Sequence, residues 1–150
     1  MKLSDKGLQL IKDFEGFEGK AYLCPAGVPT IGYGATYYPK TNDAVLLCDE
    51  DITEHYASVL LQEMVGSYER GVMRYVTSKL SSNQFDALVS FAYNVGLSAL
   101  KSSTLLKRVN ANPCDENIAY QFSRWNKANG KVLKGLTKRR KAESDLYYER

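Results

Sequence analysis

The sequence has few residues that could bind a metal ion. It contains one histidine, His55, and three cysteines, Cys24, Cys48 and Cys114, none of which forms a CxxC pair. A structural zinc site needs four ligands at close spacing, so no zinc site is predicted. The odd number of cysteines also argues against a full disulfide framework and is typical of synthesis in a reducing compartment.

Long apolar runs are missing as well. The first 20 residues carry charges throughout and lack the apolar segment of a secretory signal. No stretch approaches the roughly 20 apolar residues that span a bilayer. The sequence therefore predicts no membrane-spanning helix, and a chain of this kind needs another route if it acts outside the cytoplasm.

Neither sign of charge dominates. The 150 residues include 20 Lys and Arg and 17 Asp and Glu, and this net charge of +3 excludes a histone-like polybasic protein. The charges are unevenly spread, since residues 43–54 include five acids and no base, whereas residues 127–141 include seven bases and no acid. Such runs are most often solvated faces, and the alternative for the basic run is attraction to an anionic polymer, either nucleic acid or bacterial wall.

The first third of the chain contains signals for one helix and several short strands. Ser4 is suited to be the N-cap of an amphipathic helix, and Gly16 is placed to end it. Glycine and proline residues punctuate short apolar runs in residues 20–48, which predicts short β-strands joined by tight turns.

The remainder is predicted to be helical. Asp51 and Glu54 form a capping-box pattern that opens a helix, which Gly66 and Gly71 are expected to interrupt. Later helices are predicted from the capping box of Ser81 and Gln84 to Gly96, and at about 102–110, 115–126 and 137–149. A helix, a β-rich segment and a longer helical segment together indicate an α+β fold.

The most informative motif lies between Glu15 and Gly34. Eight residues separate Glu15 from Cys24, five more precede Thr30, and Ile31-Gly32-Tyr33-Gly34 follows. This spacing resembles the signature of the phage-type lysozymes, the endolysins of glycoside hydrolase family 24. Three later segments resemble the central helix and C-terminal motifs of that family, so the resemblance covers nearly the whole chain: 83–96, 123–126 and 135–143.

The resemblance implies a fold and a reaction. It implies a single lysozyme-like domain over residues 1–150, in which the N-terminal helix (4–15) and a β-rich lobe (about 15–50) pack beside a larger helical lobe (about 51–150), with a cleft between them. The implied reaction is hydrolysis of the β-1,4 bond between N-acetylmuramic acid and N-acetylglucosamine in peptidoglycan, without a metal or cofactor. Peptidoglycan is then the partner, with no nucleic acid, no stable membrane insertion and a monomeric enzyme. The lack of an apolar leader further implies that the protein stays in the host cytoplasm until a holin releases it to the wall.

The resemblance also assigns roles to residues. Glu15 is the proton donor, and its place at the negative end of a helix between Phe14 and Phe17 disfavours the charged form of its carboxyl. Cys24 occupies a position at which many relatives have Asp, and there it is either a base toward water or a residue that only shapes the water pocket. Because a thiol has an ordinary pKa near ~8.5, the first role requires a site that favours the thiolate. Thr30 has a hydroxyl suited to hold the attacking water.

Further residues have lesser roles by the same resemblance. Four are expected near the substrate: Gly34, Thr36, Tyr93 and Thr104. Other acids of the β-rich segment could replace Cys24 as the base: Glu18, Asp49 and Asp51. Two alternatives to a hydrolase remain open at this point, namely a lytic transglycosylase, which needs one Glu only, and a non-catalytic cationic module that binds wall or nucleic acid through the basic run.

Overall fold

The computed structural model describes residues 1–150 and has an α+β fold, as predicted. Its helices are α1 (Asp5–Glu15), α2 (Glu54–Tyr75), α3 (Ser82–Val95), α4 (Leu97–Ser102), α5 (Thr104–Ala111), α6 (Asn117–Ser123) and α7 (Lys134–Tyr148). Its strands are β1 (Glu18–Leu23), β2 (Pro29–Gly32), β3 (Tyr37–Tyr38), β4 (Asp43–Ala44), β5 (Lys127–Ala128) and β6 (Lys131–Val132). The strands pair in sequence order as three antiparallel two-stranded sheets. No helix has the length and apolar content needed to cross a bilayer.

The chain divides into two compact units. The strand-bearing unit runs from Ile11 to Gly66, and the helical unit combines Met1–Leu10 with Ser67–Arg150. The boundaries lie inside α1 and α2, so the strand-bearing unit extends beyond residues 15–50 and includes the end of α1 and the start of α2. Glu15, Cys24 and Thr30 all belong to this unit.

The N-terminal helix begins and ends where the sequence predicts. The backbone N–H of Gly7 donates to the Ser4 hydroxyl at 3.2 Å, which is the N-cap bond expected of serine. Gly16 follows the helix with φ at +73°, and its N–H donates to the Lys12 carbonyl at 2.9 Å. Because only glycine adopts this left-handed conformation without strain, Gly16 ends the helix directly after Glu15.

The β1–β2 hairpin turns at Cys24. The Cys24 N–H donates to the Val28 carbonyl at 3.0 Å, and the Gly27 N–H donates to the Cys24 carbonyl at 2.8 Å. Gly27 has φ at +78°, as expected of a short hairpin loop that closes on a left-handed residue. Tyr22 then lies opposite Thr30 in the ladder, so Cys24 and Thr30 flank the same turn.

A tight loop follows β2. Ile31 and Ala35 exchange two backbone hydrogen bonds, each of 2.9 Å, and enclose Gly32, Tyr33 and Gly34. A Cβ on Gly32 would lie only 3.2 Å from the Ala57 Cβ, so this position accepts little more than glycine. The loop places the Tyr33 side chain in the core, where it is 7% exposed.

Helix α2 differs from its prediction both at its N-terminus and at its two glycines. Its N-cap is Thr53, whose hydroxyl accepts from the Tyr56 N–H at 3.1 Å, and the predicted capping box from Asp51 to Glu54 does not form. The helix also continues through Gly66 and Gly71. Gly71 is required by packing, because a Cβ there would lie 2.4 Å from the side chain of Leu97.

The helical unit has its core around α3 and α7. The capping box of Ser81 and Gln84 opens α3 as predicted, and Gly96 ends it with φ at +97°. Two elements were not predicted, the short helix α4 and the β5–β6 hairpin. The sequence signal for the hairpin is Asn129-Gly130, and both of these residues have positive φ.

The basic run at residues 127–141 divides into a buried and an exposed part. Arg139 and Arg140 are buried, and their Nε atoms lie 3.4 and 2.8 Å from the carboxylate of Glu143. The Ser90 hydroxyl of α3 donates to the same carboxylate at 2.6 Å. The five lysines of the run are exposed on the β5–β6 hairpin and α7: Lys127, Lys131, Lys134, Lys138 and Lys141.

Candidate active site

Glu15 is the last residue of α1 and lies three residues before β1. Its side chain is half-buried, between the half-buried Phe14 and the exposed Phe17. Glu15 therefore lies beside the last carbonyl groups of the helix, directly before the β1–β2 hairpin. Its role as the proton donor stays a prediction.

The backbone N–H groups of the hairpin turn surround the thiol of Cys24. Hydrogen bonds from the backbone of Val28, and less strongly from Ala26 and Gly27, lower the pKa of this thiol, and partial burial acts in the opposite direction. These donors stabilise a negative charge on sulfur, as backbone N–H groups do in anion-binding turns. The turn therefore supplies the environment that a thiolate requires.

Thr30 completes the surroundings of the thiol. Its hydroxyl forms a hydrogen bond with Cys24 that also lowers the pKa of the thiol. The same hydroxyl donates its proton to the Val28 carbonyl at 2.8 Å. Thr30 is 3% exposed, and its oxygen lone pairs can still accept a hydrogen bond from a water molecule.

Tyr22 connects Glu15 with Cys24. Burial raises the pKa of its phenol first, and the charges of Glu18, Cys24 and Glu15 raise it further. The phenol of Tyr22 therefore lies within electrostatic range of both Glu15 and Cys24. Tyr22 was not among the predicted site residues, although its position two residues before Cys24 on a predicted strand was a usable signal.

A second cluster lies beside this neighbourhood. The Tyr33 hydroxyl donates to Glu54 Oε1 at 2.8 Å, and Lys12 Nζ lies 3.4 Å from the same oxygen. The Tyr33 bond and the Lys12 charge both lower the pKa of Glu54, the bond being the larger cause, whereas burial and Glu54 raise the pKa of Tyr33 to about 12. Sequence reasoning did not find this cluster.

Two of the expected substrate residues lie in the strand-bearing unit. Gly34 is half-buried with φ at +84°, in the loop after β2. Thr36 is exposed, and its carbonyl accepts from the Val45 N–H at 2.9 Å. Both follow Thr30 closely in the chain.

The other two lie in the helical unit. Tyr93 is half-buried, and its ring meets that of Tyr68 edge-on with centroids 5.2 Å apart. Thr104 is exposed at the start of α5 and lines a hollow of about 300 Å³ together with Trp125 and Arg124.

Two of the acids that could replace Cys24 as the base line a different groove. Asp49 and Asp51 line a groove of about 740 Å³ that does not include Glu15, Cys24 or Thr30. Asp49 accepts from the Tyr38 hydroxyl at 2.7 Å and from the Leu46 N–H at 2.9 Å, and these bonds lower the pKa of its carboxyl. Its contacts are those of a structural acid. No group of three or more His, Cys, Asp or Glu side chains is placed to hold a metal ion.

The sequence and the fold both have known relatives. The sequence profile of the family described as Phage lysozyme matches residues 12–143. The chain is 45% identical over 147 residues to an endolysin of Bacillus phage B103. The aligned region covers 98% of this chain and 54% of that protein. It is 39% identical over 151 residues to an endolysin of Acyrthosiphon pisum secondary endosymbiont phage 1, with 98% of both chains covered. The chain thus spans about half the length of the Bacillus phage relative and nearly all of the second.

Solved structures agree with these matches. An endolysin from Escherichia coli O157:H7 phage FAHEc1 superposes with a TM-score of 0.91 at 38% identity, covering 99% of this chain and 94% of that one. A mutant of P22 lysozyme superposes with a TM-score of 0.87 at 33% identity, covering 99% of both chains. These likenesses confirm the lysozyme-like fold that the motif between Glu15 and Gly34 implied. By profile, by sequence identity and by fold, the chain belongs to the phage lysozyme family.

Proposed function

We propose that this protein is a muramidase that hydrolyses the β-1,4 bond between N-acetylmuramic acid and N-acetylglucosamine in peptidoglycan, and that it acts as an endolysin in host cell lysis. The observation that carries the proposal is the placement of Cys24 and Thr30 on either side of one hairpin turn, in the segment that follows the helix end bearing Glu15. The names of the relatives, which include endolysins and lysozymes, support it.

In the proposed reaction, Glu15 donates one proton and Cys24 accepts another. Glu15 donates its proton to the glycosidic oxygen as the bond from that oxygen to the sugar C1 breaks. Water attacks C1, and the proton that it loses passes to the Cys24 thiolate. Thr30 accepts a hydrogen bond from this water and holds it in place. Exchange with solvent then returns a proton to Glu15 and removes one from Cys24.

Substrate binding is a further part of the proposal. Gly34 lies in a loop where backbone can approach a sugar closely, and Thr36 and Thr104 present exposed hydroxyls. Tyr93 offers an aromatic edge. We assign these four residues to the binding of the glycan strand. The reaction needs no metal ion or cofactor.

Product analysis of digested peptidoglycan tests the reaction. A hydrolase leaves reducing ends on the muramic acid residues, whereas a lytic transglycosylase leaves 1,6-anhydro ends, and mass spectrometry separates them. We expect reducing ends, and 1,6-anhydro ends would overturn the assignment of water as the attacking group.

Substitution of Glu15 tests the proton donor. We expect Glu15→Gln to abolish the release of reducing ends while the protein stays folded, because an amide cannot donate a proton to the glycosidic oxygen. Asp13→Asn, two residues earlier and exposed on the same helix, is the matched control and should retain activity. Lysis of permeabilised bacteria by the Glu15→Gln protein would instead favour a cationic module that acts by charge.

Release and oligomeric state complete the proposal. The protein stays in the host cytoplasm until a holin lesion gives it access to the wall, and it acts as a monomer. We expect its expression to lyse cells only when a holin is expressed with it, and light scattering should give the mass of one 16.8 kDa chain.

A further inference from the structure

We propose that Tyr33, together with Glu54 and Lys12, is a positioning residue for the reaction, and that it holds the segment bearing Glu15 in register with Thr30. The inference rests on the muramidase function proposed above. None of the three side chains is offered as a donor or acceptor of the proton that moves in the reaction.

Tyr33 contacts the chain on both sides of Glu15. Its ring centroid lies 5.4 Å from Lys12 Nζ, three residues before Glu15 in the last turn of α1. The same ring lies 5.8 Å from the ring of Phe17, two residues after Glu15, at an interplanar angle of 49°. One aromatic side chain therefore spans the turn at Gly16 and contacts residues at both ends of it.

Tyr33 is itself held to Thr30 through the backbone. It lies three residues after Thr30, in the loop that the paired bonds between Ile31 and Ala35 close. This loop has little freedom, because Gly32 packs against Ala57 and both flanking glycines have positive φ. A displacement of Tyr33 would thus be transmitted along β2 to Thr30, which lies near the start of that strand.

Glu54 contacts both Tyr33 and Lys12 with a single carboxylate oxygen. Its Oε1 accepts from the Tyr33 hydroxyl at 2.8 Å and pairs with Lys12 Nζ at 3.4 Å. Glu54 is the first residue of α2. Its carboxylate therefore links the start of α2 to the last turn of α1 through Lys12, and to the loop after β2 through Tyr33. The bond from the Tyr33 hydroxyl to this carboxylate, at 2.8 Å, is charge-assisted and therefore stronger than a bond between neutral groups, which suits a positioning role.

The expected effect falls on turnover. An error of about 1 Å in the placement of a catalytic group can cost roughly 10²-fold in rate, whereas glycan binding depends on other contacts. We expect Tyr33→Phe, which keeps the ring and removes the hydroxyl, to lower kcat about tenfold with KM within about twofold. Glu54→Gln should lower kcat similarly, and Lys12→Arg, which keeps the charge, should restore most of the activity lost in Lys12→Met.

The chain offers a matched control in Tyr38. Its hydroxyl donates to Asp49 at 2.7 Å, in the same unit and with the same chemistry as the bond from Tyr33 to Glu54. Tyr38→Phe removes that bond at a distance from the β1–β2 turn and should leave both kcat and KM within about twofold. Melting temperatures of the two variants show whether the losses in stability are comparable.

The experiment measures kcat and KM on soluble glycan strands for the wild type, Glu15→Gln and the variants above. Lower kcat in Tyr33→Phe and normal kcat in Tyr38→Phe, at similar melting temperatures, supports the proposal. If the wild type is active and Glu15→Gln inactive, but Tyr33→Phe turns over normally, the positioning role is wrong and the muramidase function stands. A wild type that releases no reducing ends overturns both. Should Tyr33→Phe fail to fold, the Lys12 variants of α1 test the proposal instead. A low kcat in Lys12→Met that is mostly restored in Lys12→Arg supports it, and a normal kcat in Lys12→Met overturns it.

Discussion

The hydroxyl of Thr30 lies beside the thiol of Cys24 at the turn of the β1–β2 hairpin and contributes to lowering the pKa of that thiol. The turn favours a negative charge at this position, which suits a thiolate. Three backbone N–H groups already favour negative charge at this point, so the side chain needs less acidity of its own.

Cys24 should be replaceable by an acid and not by an alcohol. We expect Cys24→Asp to remain active, because a carboxylate is charged at neutral pH and faces the same N–H donors. Cys24→Ser should lose much of the activity, since a hydroxyl does not ionise in this range. Release of reducing ends measures both. Equal activity in the serine variant would reduce Cys24 to a packing role.

The Cys24 thiol should ionise at a lower pH than an ordinary thiol. A Cys48→Ser, Cys114→Ser protein retains Cys24 alone, and its rate of alkylation should rise through a midpoint below ~8.5. A folded-state pKa below the unfolded value contributes stability that is present above the unfolded pKa and lost as pH falls through the folded one. The melting temperature of this protein relative to its Cys24→Ser derivative should therefore rise with pH in that window. A midpoint at or above ~8.5 would contradict the role of the turn.

Loss of the Thr30 hydroxyl should cost more activity than stability. Thr30→Ala removes one hydrogen bond to the Val28 carbonyl, worth about 1 kcal/mol of folding free energy. It also removes the contacts to the thiol and to the attacking water, so turnover should fall much further and the alkylation midpoint of Cys24 should move up. Thr30→Ser, which retains the hydroxyl, is the control. A change in melting temperature alone would show that the assigned role is wrong.

The buried tyrosines should make the fold sensitive to alkali. The pKa values of Tyr33 and Tyr38 are raised to about 12 by burial, with further contributions from Glu54 and Asp49 respectively. A raised pKa contributes stability that is complete below the unfolded value near 10 and is lost as pH rises through the folded one. We expect the melting temperature to fall between about pH 10 and pH 12, and to fall less in a Tyr33→Phe, Tyr38→Phe protein. Parallel curves for the two proteins would refute this account.

Glu143 should be essential for stability. It is fully buried between Arg139 and Arg140, and burial raises the pKa of its carboxyl while the two guanidinium groups oppose that shift. Glu143→Ala would remove the carboxylate that both buried guanidinium groups face, at a cost of roughly 3–5 kcal/mol. Denaturant unfolding measures this cost. Lys141→Ala, which breaks an exposed pair with Asp145 at 2.8 Å, should cost less than about 1 kcal/mol.

The elements that the sequence predicted well are those decided by neighbouring residues. The N-cap at Ser4, the end of α1 at Gly16 and the capping box at Ser81 each depend on bonds between residues three or four positions apart. The predictions for α2 failed where the nearby pattern was misleading. Asp51 fitted a capping box, yet Thr53 caps the helix, and Gly71 resembles a helix breaker, yet Leu97 requires the space that it leaves.

The basic run at residues 127–141 likewise combines what the local sequence shows with what only tertiary contacts decide. From the sequence, all seven positive residues of 127–141 belong to one class. The structure buries Arg139 and Arg140 against Glu143 and Ser90, and leaves the lysines exposed. Ser90 lies 53 positions from Glu143, so no local pattern could have separated these residues.

The spacing of Glu15, Cys24 and Thr30 along the chain was sufficient to indicate the family and the reaction, because the three residues lie within a single helix end and hairpin whose turns are encoded locally. Only the tertiary structure decided the chemistry around them. The N–H donors at the thiol need the hairpin closed, and the carboxylate of Glu54 must meet Lys12 from 42 positions away and Tyr33 from 21. Hydrogen bonds and charges act over a few ångströms, and chain folding alone determines which distant residues come that close.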